Sequence, residues 1–292
     1  SQPICSPTRA SLLTGRYAFR TGVGAPGDPI NTNETTLPEA FASAGSPYQL
    51  ATYGKWHLGG GNTGYNTLGG WTEFAGITGG GVPNQTDGYT NWNKNTNGTV
   101  QNGYTVYSTT DQVNDAKNFI DAKELSDEPW FVWMGFNAPH TPFHDPPAAL
   151  LQGSTGESNK ARYQKALEAL DTEIGRLMES VDLTTTNIIL IGDNGTPGQV
   201  VQAPYGPTGA SGHAKGDLYE GGIHVPLVVR GPSVSAPGGS TTDKMVHVTD
   251  LFSTILEIAS VPVPATAVDS TSIVPILEGA NPAERDVVSE AF

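Results

Sequence analysis

Only one cysteine, Cys5, occurs among the 292 residues, and a single thiol cannot form an intrachain disulfide. Basic residues are also few, because 15 Lys and Arg stand against 29 Asp and Glu and leave a formal net charge of -14. Without a basic stripe to displace counterions, this charge argues against a nucleic-acid backbone or an anionic membrane surface as the partner. No apolar run approaches the roughly 20 residues that a membrane-spanning helix needs.

Glycine and proline are abundant, at 36 and 22 residues. They gather with Asn and Thr between residues 59 and 110 and again between residues 192 and 216, which predicts long, shaped loops. The length and the 37% hydrophobic content favour one large domain with a substantial core.

Hydrophobic patterning predicts an α/β fold with a mixed, mostly parallel central sheet that is flanked by helices on both faces, because several apolar segments lack the alternation of a half-exposed strand. The predicted strands cover residues 48–54, 130–137, 185–195, 225–231 and, more weakly, 286–292. Apolar residues at helical spacing predict helices over 158–181, 8–14, 111–123 with Asp111 as the cap, and 249–259. In open sheets of this kind ligands bind beyond the carboxyl ends of the strands.

The segment C-S-P-T-R, residues 5–9, has the pattern of a helix N-terminus. Ser6 is predicted to cap the helix and Pro7 suits its first turn, which puts Cys5 beside backbone N–H groups that favour an anion. Arg9 follows one helical turn after Cys5, so that its guanidinium can point toward residue 5. A lone cysteine is otherwise read as a small buried hydrophobe.

The longer stretch C-S-P-T-R-A-S-L-L-T-G-R, residues 5–16, resembles the full signature of type I sulfatases, of the alkaline phosphatase superfamily. The resemblance implies that a formylglycine-generating enzyme converts Cys5 to formylglycine. One hydroxyl of the hydrated aldehyde would attack sulfur and the other would later expel sulfate. This is covalent catalysis in two steps, with a nucleophile that a bound metal activates.

Two further segments resemble sulfatase motifs that carry substrate-binding groups. Y-G-K-W-H-L-G-G supplies Lys55 and His57, which an extended backbone would point to one side. The resemblance implies that Lys55 contacts sulfate and formylglycine, and that His57 hydrogen-bonds a formylglycine hydroxyl. F-N-A-P-H supplies His140, implied to bind substrate and able to donate a proton to the departing alcohol or phenol. His144 is interpreted as a residue that caps a proline-rich turn.

The segment I-I-L-I-G-D-N-G ends a buried strand with Asp193 and Asn194. By itself D-N-G is an ordinary turn signal, but the segment resembles the sulfatase metal motif. The resemblance implies that both residues bind a divalent cation together with residue 5. Oxygen ligands without several imidazoles favour Ca²⁺, with Mg²⁺ as the alternative, over zinc.

The segment G-H-A-K-G-D-L-Y-E-G-G resembles the sulfatase block whose lysine bridges the sulfate and the leaving-group oxygen, a role that falls to Lys215. His213 is interpreted either as a satisfied polar residue or as a contact to substrate, and residues 220–226 as architecture. Arg9, Lys55 and Lys215 would join two histidines and a cation around one dianionic transition state.

The resemblance covers nearly the whole chain as a single core over residues 1–292, with residues 59–109 as an insertion near the active site. The sequence contains neither the family's first strand, which carries two metal-binding aspartates, nor its C-terminal subdomain. The core is therefore expected to be truncated at both ends, and upstream sequence, including any signal peptide, is expected to be missing. Without the two aspartates the metal site is expected to be weak. An uncovered sheet edge would then favour self-association into a homo-oligomer.

Three functions remain open at this point: a hydrolase of sulfate monoesters, a phosphodiesterase or phosphonate monoester hydrolase on the same scaffold, and a catalytically silent fragment that binds anions. Aromatic residues in the 59–109 segment either overhang the pocket, where they would suit a sugar or aryl group, or pin the loop. These residues are Trp71, Tyr89, Trp92 and Tyr104. A periplasmic or secreted location is compatible with the composition.

Overall fold

The computed structural model describes residues 1–59, 71–202 and 213–291. Residues 60–70 of the predicted insertion, residues 203–212 of the predicted second loop and Phe292 of the predicted last strand lie outside these ranges. Contacts divide the chain into two compact units. The first unit is Ser1–Ser46 with Asp182–Phe292, and the second is Pro47–Val181. The prediction of a single core over residues 1–292 stays a prediction.

Three helices and then four strands come first in the chain, and helices and strands mix after them. The helices are α1 Cys5–Thr14, α2 Ala18–Thr21, α3 Leu37–Ser43, α4 Ser108–Ser126, α5 Asn159–Met178, α6 Glu220–Ile223, α7 Asp250–Ile258 and α8 Val274–Leu277, with a 3₁₀ turn at Ala148–Leu150. The strands are β1 Gln49–Lys55, β2 Glu73–Ile77, β3 Trp92–Thr96, β4 Thr99–Tyr104, β5 Trp130–Gly135, β6 Ile188–Ile191 and β7 Leu227–Arg230. Within the described ranges no helix combines the length and apolarity needed to cross a bilayer.

The second unit is built on a five-stranded sheet in the order β4-β3-β2-β1-β5. β1 runs parallel to both β2 and β5, whereas β3 pairs antiparallel with β2 and β4. Three of these strands, β2 to β4, lie in the segment predicted as a long loop, so that part of the prediction is wrong. Strand β3 has the sequence W-N-K-N-T, and its polar composition is typical of a loop. It forms a strand because its backbone pairs with β2 and β4.

The aromatic side chains of this segment belong mainly to the core. Tyr89 and Trp92 are each 1% exposed and pack in one cluster with Tyr107. Trp71 is half-buried and stacks on Phe131 and on Trp133 of β5. Of the two alternatives for these aromatics, the structure favours the one in which they hold the segment in place.

In the first unit β6 and β7 form an antiparallel pair, and α1 packs against α7. Helix α1 begins at Cys5, earlier than the predicted residue 8. Ser6 does not cap it, since its hydroxyl accepts from the Gly27 N–H at 2.9 Å. The side chain of Thr8 instead accepts from the Gln2 N–H at 3.1 Å and ties the incoming chain to the first turn.

The helix predicted over 158–181 is α5, and Ser158 caps it by accepting from the Ala161 N–H. Asp111 is not a cap, because α4 begins at Ser108 and encloses Asp111 as a buried residue. Described residues 286–291 form no strand. Side-chain contacts hold them in place, as where Ser289 donates to the Ser1 carbonyl.

A buried charge cluster joins β3 to α4 in the second unit. Lys94 Nζ lies 2.7 Å from a carboxylate oxygen of Asp111 and 2.7 Å from one of Asp115. The hydroxyl of Tyr104 donates to Asp111 at 2.7 Å. Burial raises the pKa of the Asp115 carboxyl group to about 6. This carboxyl group therefore gains a proton at mildly acidic pH.

We predict that Lys94→Met strongly destabilises the protein, because it leaves a buried carboxylate, Asp111, and a half-buried one, Asp115, without their cation. Such a change costs about 3 kcal/mol in comparable cases. Chemical denaturation at pH 7 would measure the free energy of unfolding. Lys123→Met is the matched control, since Lys123 pairs with Glu128 in a more exposed position and its loss should cost far less. Equal effects of the two variants would contradict the prediction.

Candidate active site

Cys5 occupies the first position of α1, a helix in which all ten residues are buried. The thiol residue itself is 4% exposed. Ile4, just before the helix, has an extended backbone and provides no side-chain cap. The first turn of a helix is where backbone N–H groups point toward an acceptor, and Cys5 stands at that turn.

Arg9 lies one turn further along α1 and is also buried. Its Nη2 atom is 3.6 Å from Oδ2 of Asp193, which follows β6. This ion pair links the helix that carries Cys5 to the segment predicted to bind metal. The two segments are thus neighbours within the first unit.

The turn after β6 depends on glycine. The Gly195 N–H donates to the Gly222 carbonyl at 2.8 Å, and a Cβ on Gly195 would lie 1.8 Å from the Gly221 carbonyl oxygen. The Asn194 amide nitrogen donates to the Gly195 carbonyl, whereas its Oδ1 is buried without a hydrogen-bond partner in the described part of the chain. Leaving a buried amide oxygen unpaired costs free energy. A hard cation bound to this oxygen would offset that cost.

The described ranges hold no cluster of three or more His, Cys, Asp or Glu able to bind a metal. The predicted set of Cys5, Asp193 and Asn194 contains two residues of those types and one amide. The unpaired Oδ1 of Asn194, the residue after Asp193 in the chain, fits a cation that prefers oxygen ligands.

Lys215 is held between the metal-motif turn and the residues that precede Cys5. Its N–H donates to the Thr196 carbonyl at 3.0 Å, and the N–H of the next residue, Gly216, donates to Pro3 at 2.9 Å. Three predicted segments of the first unit, around Cys5, Asp193 and Lys215, are therefore brought together by hydrogen bonds and one ion pair.

His213 is exposed and stacks on Tyr219, with ring centroids 4.0 Å apart and planes inclined by 20°. Tyr219 is 57% exposed. Sequence reasoning treated residues 220–226 as architecture and did not single out Tyr219. An aromatic residue six positions from a histidine carries no periodic signal, because neither a strand nor a helix spans the interval.

In the second unit Lys55 ends β1 and is buried, with 4% exposure. The backbone does not continue as an extended strand to His57, which has a left-handed φ of 59°. The prediction that an extended backbone points Lys55 and His57 to one side is therefore wrong. Hydrogen bonds from the Trp56 and His57 N–H groups to Ile77 and Thr78 hold this bend beside the end of β2.

His140 lies in the proline-rich loop after β5. The Tyr89 hydroxyl is 2.8 Å from the carbonyl oxygens of both Asn137 and His140 and so braces the loop. His140 Nδ1 is 3.0 Å from the Thr141 carbonyl. Since a carbonyl can only accept, this contact assigns the proton of a neutral His140 ring to Nδ1.

His144 has the structural role that the sequence analysis gave it. Its ring stacks on Tyr89 with 3.8 Å between centroids, and its nitrogens contact the Tyr107 hydroxyl and the Pro142 carbonyl. Burial lowers the pKa of His144, which favours the neutral ring. The second unit thus supplies two predicted site histidines, and a third histidine that supports the loop of one of them.

Known proteins resemble this chain over most of its length. The chain is 26% identical to the uncharacterized sulfatase YdeN of Escherichia coli (strain K12), over 94% of this chain and 53% of that protein. It is 28% identical to the N-acetylgalactosamine-6-sulfatase of Sus scrofa, over 98% of this chain and 59% of that protein. The chain therefore spans between half and two thirds of the length of these relatives.

Solved structures have the same fold. The crystal structure of Ps i-CgsB in complex with k-i-k-neocarrahexaose superposes with a TM-score of 0.80 at 24% identity, over 94% of this chain and 65% of that one. The phosphonate monoester hydrolase SpPMH from Silicibacter pomeroyi superposes with a TM-score of 0.66 at 20% identity, over 97% of this chain and 69% of that one. This likeness confirms the predicted fold class, a mixed α/β core with helices on its sheet.

The sequence match agrees with the fold. The Sulfatase family model matches residues 1–261, which is most of the chain. This chain belongs to the sulfatase family.

Proposed function

We propose that this chain hydrolyses a sulfate monoester, with formylglycine made from Cys5 as the nucleophile. The observation that carries the proposal is the position of Cys5. It begins a wholly buried helix whose next turn pairs Arg9 with Asp193, and Pro3 just before it accepts from the residue after Lys215. A reactive residue in such a frame would be held in one orientation toward its substrate.

The nucleophile is made by a separate formylglycine-generating enzyme, which would supply an oxidant for two electrons. The Cβ–S bond and one Cβ–H bond of Cys5 break, a carbon–oxygen double bond forms at Cβ, and the sulfur leaves as hydrogen sulfide. Water adds to this aldehyde and yields two hydroxyls. One hydroxyl loses its proton to solvent and attacks the sulfur of the ester, and the bond from sulfur to the alcohol oxygen breaks. In this scheme His140 is doubly protonated, with its Nδ1–H held by the Thr141 carbonyl. It donates its Nε2 proton to the departing oxygen and regains a proton from solvent.

Release of sulfate regenerates the aldehyde. The second hydroxyl loses its proton, the carbon–oxygen double bond forms again, and the bond from that carbon to the sulfate oxygen breaks. His57 is assigned to hydrogen-bond the hydroxyl and accept its proton. A new water then adds to the aldehyde, so that one ester and one water yield one alcohol and one sulfate per cycle.

Three cationic side chains are assigned to the sulfate charge. Arg9 and Lys215 belong to the first unit and Lys55 to the second. Arg9 and Lys55 are almost completely buried, and buried cations act more strongly on an anion because water screens them less. Such local cations would allow a protein of net charge -14 to bind an anionic substrate.

Asp193, Asn194 and the oxygen of residue 5 are proposed to hold Ca²⁺, or Mg²⁺ in its place. The unpaired, buried Oδ1 of Asn194 supports the assignment. When bound, the cation would supply positive charge that favours an ionised hydroxyl and stabilises anionic oxygens.

A sulfated carbohydrate is the proposed substrate. The exposed stacked rings of His213 and Tyr219 support it, because a flat aromatic face suits the apolar face of a sugar ring. Ps i-CgsB, which has the same fold, was crystallised with an oligosaccharide. His213 thereby takes the role of substrate contact rather than that of a satisfied polar residue.

Two further proposals concern the protein as a whole. A periplasmic or secreted location is proposed from the composition, and cell fractionation would test it. Self-association is proposed from the exposed apolar pair of Leu190 on β6 and Val228 on β7, which face each other in the sheet register. A monomeric mass by light scattering would contradict it.

We expect the chain, co-produced with a formylglycine-generating enzyme and supplied with calcium, to hydrolyse an aryl sulfate. Cys5→Ala should lower kcat about 1,000-fold or more, because it removes the nucleophile itself. The fold of SpPMH favours a phosphonate monoester hydrolase as the second candidate, so an aryl phosphonate monoester is assayed in parallel. A higher kcat/KM for the phosphonate would favour that candidate, and no turnover of either would favour a silent, anion-binding protein.

We expect Asn194→Ala to weaken calcium binding at least about 10-fold, because it removes a cation ligand. Isothermal titration calorimetry with calcium chloride measures the affinity without any assay of turnover. Asn33→Ala, at an exposed asparagine of the same unit, is the matched control and should bind calcium like the wild type. Unchanged affinity in Asn194→Ala would remove this residue from the metal site.

We expect Tyr219→Ala to raise KM for a sulfated oligosaccharide about 3- to 10-fold, because a stacking contact is worth about 0.5–1.5 kcal/mol. The control is Phe19→Ala, which removes another exposed ring, 50% exposed and stacked on Tyr17, in the same unit. If Tyr219→Ala left KM unchanged, or if Phe19→Ala raised it equally, the rings would not form a sugar-binding surface.

A further inference from the structure

A run of three glycines, Gly79 to Gly81, follows β2 and lies beside the bend that carries His57. Pairing between β1 and β2 continues past the strands, because the Trp56 N–H donates to Ile77 at 2.9 Å and the His57 N–H donates to Thr78 at 3.1 Å. The glycines therefore begin directly after the last residue that is hydrogen-bonded to this bend.

Two imidazoles pack on consecutive residues of this run. A Cβ on Gly80 would lie 2.7 Å from Nε2 and 3.0 Å from Cε1 of His57. A Cβ on Gly81 would lie 3.3 Å from Nδ1 of His140. Since consecutive Cα atoms are about 3.8 Å apart, one short piece of backbone touches both of the histidines that the sequence motifs single out.

Backbone conformation does not explain the glycine at position 80. The φ angles of Gly79, Gly80 and Gly81 all lie outside the left-handed region that favours glycine. A Cβ on Gly79 would have no atom within 4 Å, whereas one on Gly80 would overlap the His57 ring. The space occupied by an imidazole is therefore the feature that distinguishes position 80 from position 79.

The backbone of His57 cannot readily retreat from such an overlap. Trp56, directly before it, is 1% exposed and packs edge-on against Trp133. On the other side, the Tyr89 hydroxyl holds the loop that carries His140. A side chain at position 80 would consequently displace the His57 ring while leaving the sheet in place.

We propose that Gly80 and Gly81 are positioning residues, which together we call the glycine floor, and that they set where the His57 and His140 rings lie relative to each other. The floor touches no reacting atom and acts through the two imidazoles. Its effect on catalysis rests on the proposed function, in which His57 contacts a formylglycine hydroxyl and His140 the departing oxygen. Its effect on ring position does not.

The test compares Gly80→Ala and Gly81→Ala with Gly79→Ala as the matched control. The chain has six histidines, so that their ring signals can be resolved by NMR, and the His57→Ala and His140→Ala variants assign two of them. Gly80→Ala should shift the His57 ring signals and their pH titration, Gly81→Ala should shift those of His140 by less, and Gly79→Ala should shift neither. Equal His57 signals in Gly79→Ala and Gly80→Ala would overturn the proposal.

Turnover of an aryl sulfate gives a second readout. A displacement of the His57 ring by about 1 Å can lower kcat by about 100-fold, so Gly80→Ala should lose kcat with little change in KM. Wild-type kcat in Gly80→Ala would overturn the catalytic part of the proposal. A wild-type chain without turnover would contradict the proposed function, and the NMR comparison would still decide the role of the glycine floor.

A stability measurement keeps the test decisive if Gly80→Ala folds poorly. The overlap disappears when His57 becomes Ala, so the shift in denaturation midpoint caused by Gly80→Ala should vanish in the His57→Ala background. The same shift in both backgrounds would overturn the proposal.

Discussion

The burial of α1 is the constraint on which the first unit depends. All residues of Cys5–Thr14 are buried, although five of them carry hydroxyl or guanidinium groups. Partners inside the protein stabilise such groups, because an unpaired buried polar group is costly. The Ser11 hydroxyl has no hydrogen-bond partner in the described part of the chain. Thr8 bonds the entering chain, Thr14 donates back to Ala10, and Arg9 pairs with Asp193. The partners of α1 thus fix the segments that surround it.

The burial of α1 also determines where the candidate site residues of the first unit lie. A helix that is buried on every side leaves its first turn as the place where its backbone N–H groups can meet a ligand, and Cys5 stands there. The ion pair from Arg9 and the hydrogen bond from Gly216 to Pro3 bring the metal-motif turn and Lys215 to the same end of the helix. Folding of α1 and assembly of the first unit's candidate site residues are therefore one event in this account.

The sequence predicted those parts in which one short segment suffices. Strand β5 is a continuous apolar run, β1 is a short segment that ends at a glycine and a lysine, and the spacing of Cys5 and Arg9 is local. Prediction from the sequence failed where a residue's structure depends on partners that lie far from it in the chain. Strand β3 is polar and recognisable only by its ladder, and Asp111 is a cluster member because Lys94 reaches it from β3. The bend at His57 and the closeness of Gly80 arise in the same way, from pairing between β1 and β2.

The central claim is that Cys5 is the precursor of the nucleophile. Mass spectrometry of the tryptic peptide covering residues 1–9, from protein co-produced with a formylglycine-generating enzyme, tests it most directly. The account predicts an aldehyde or its hydrate at residue 5, in an amount that tracks the specific activity toward an aryl sulfate. An unmodified thiol in a preparation that hydrolyses the ester at full rate would contradict it.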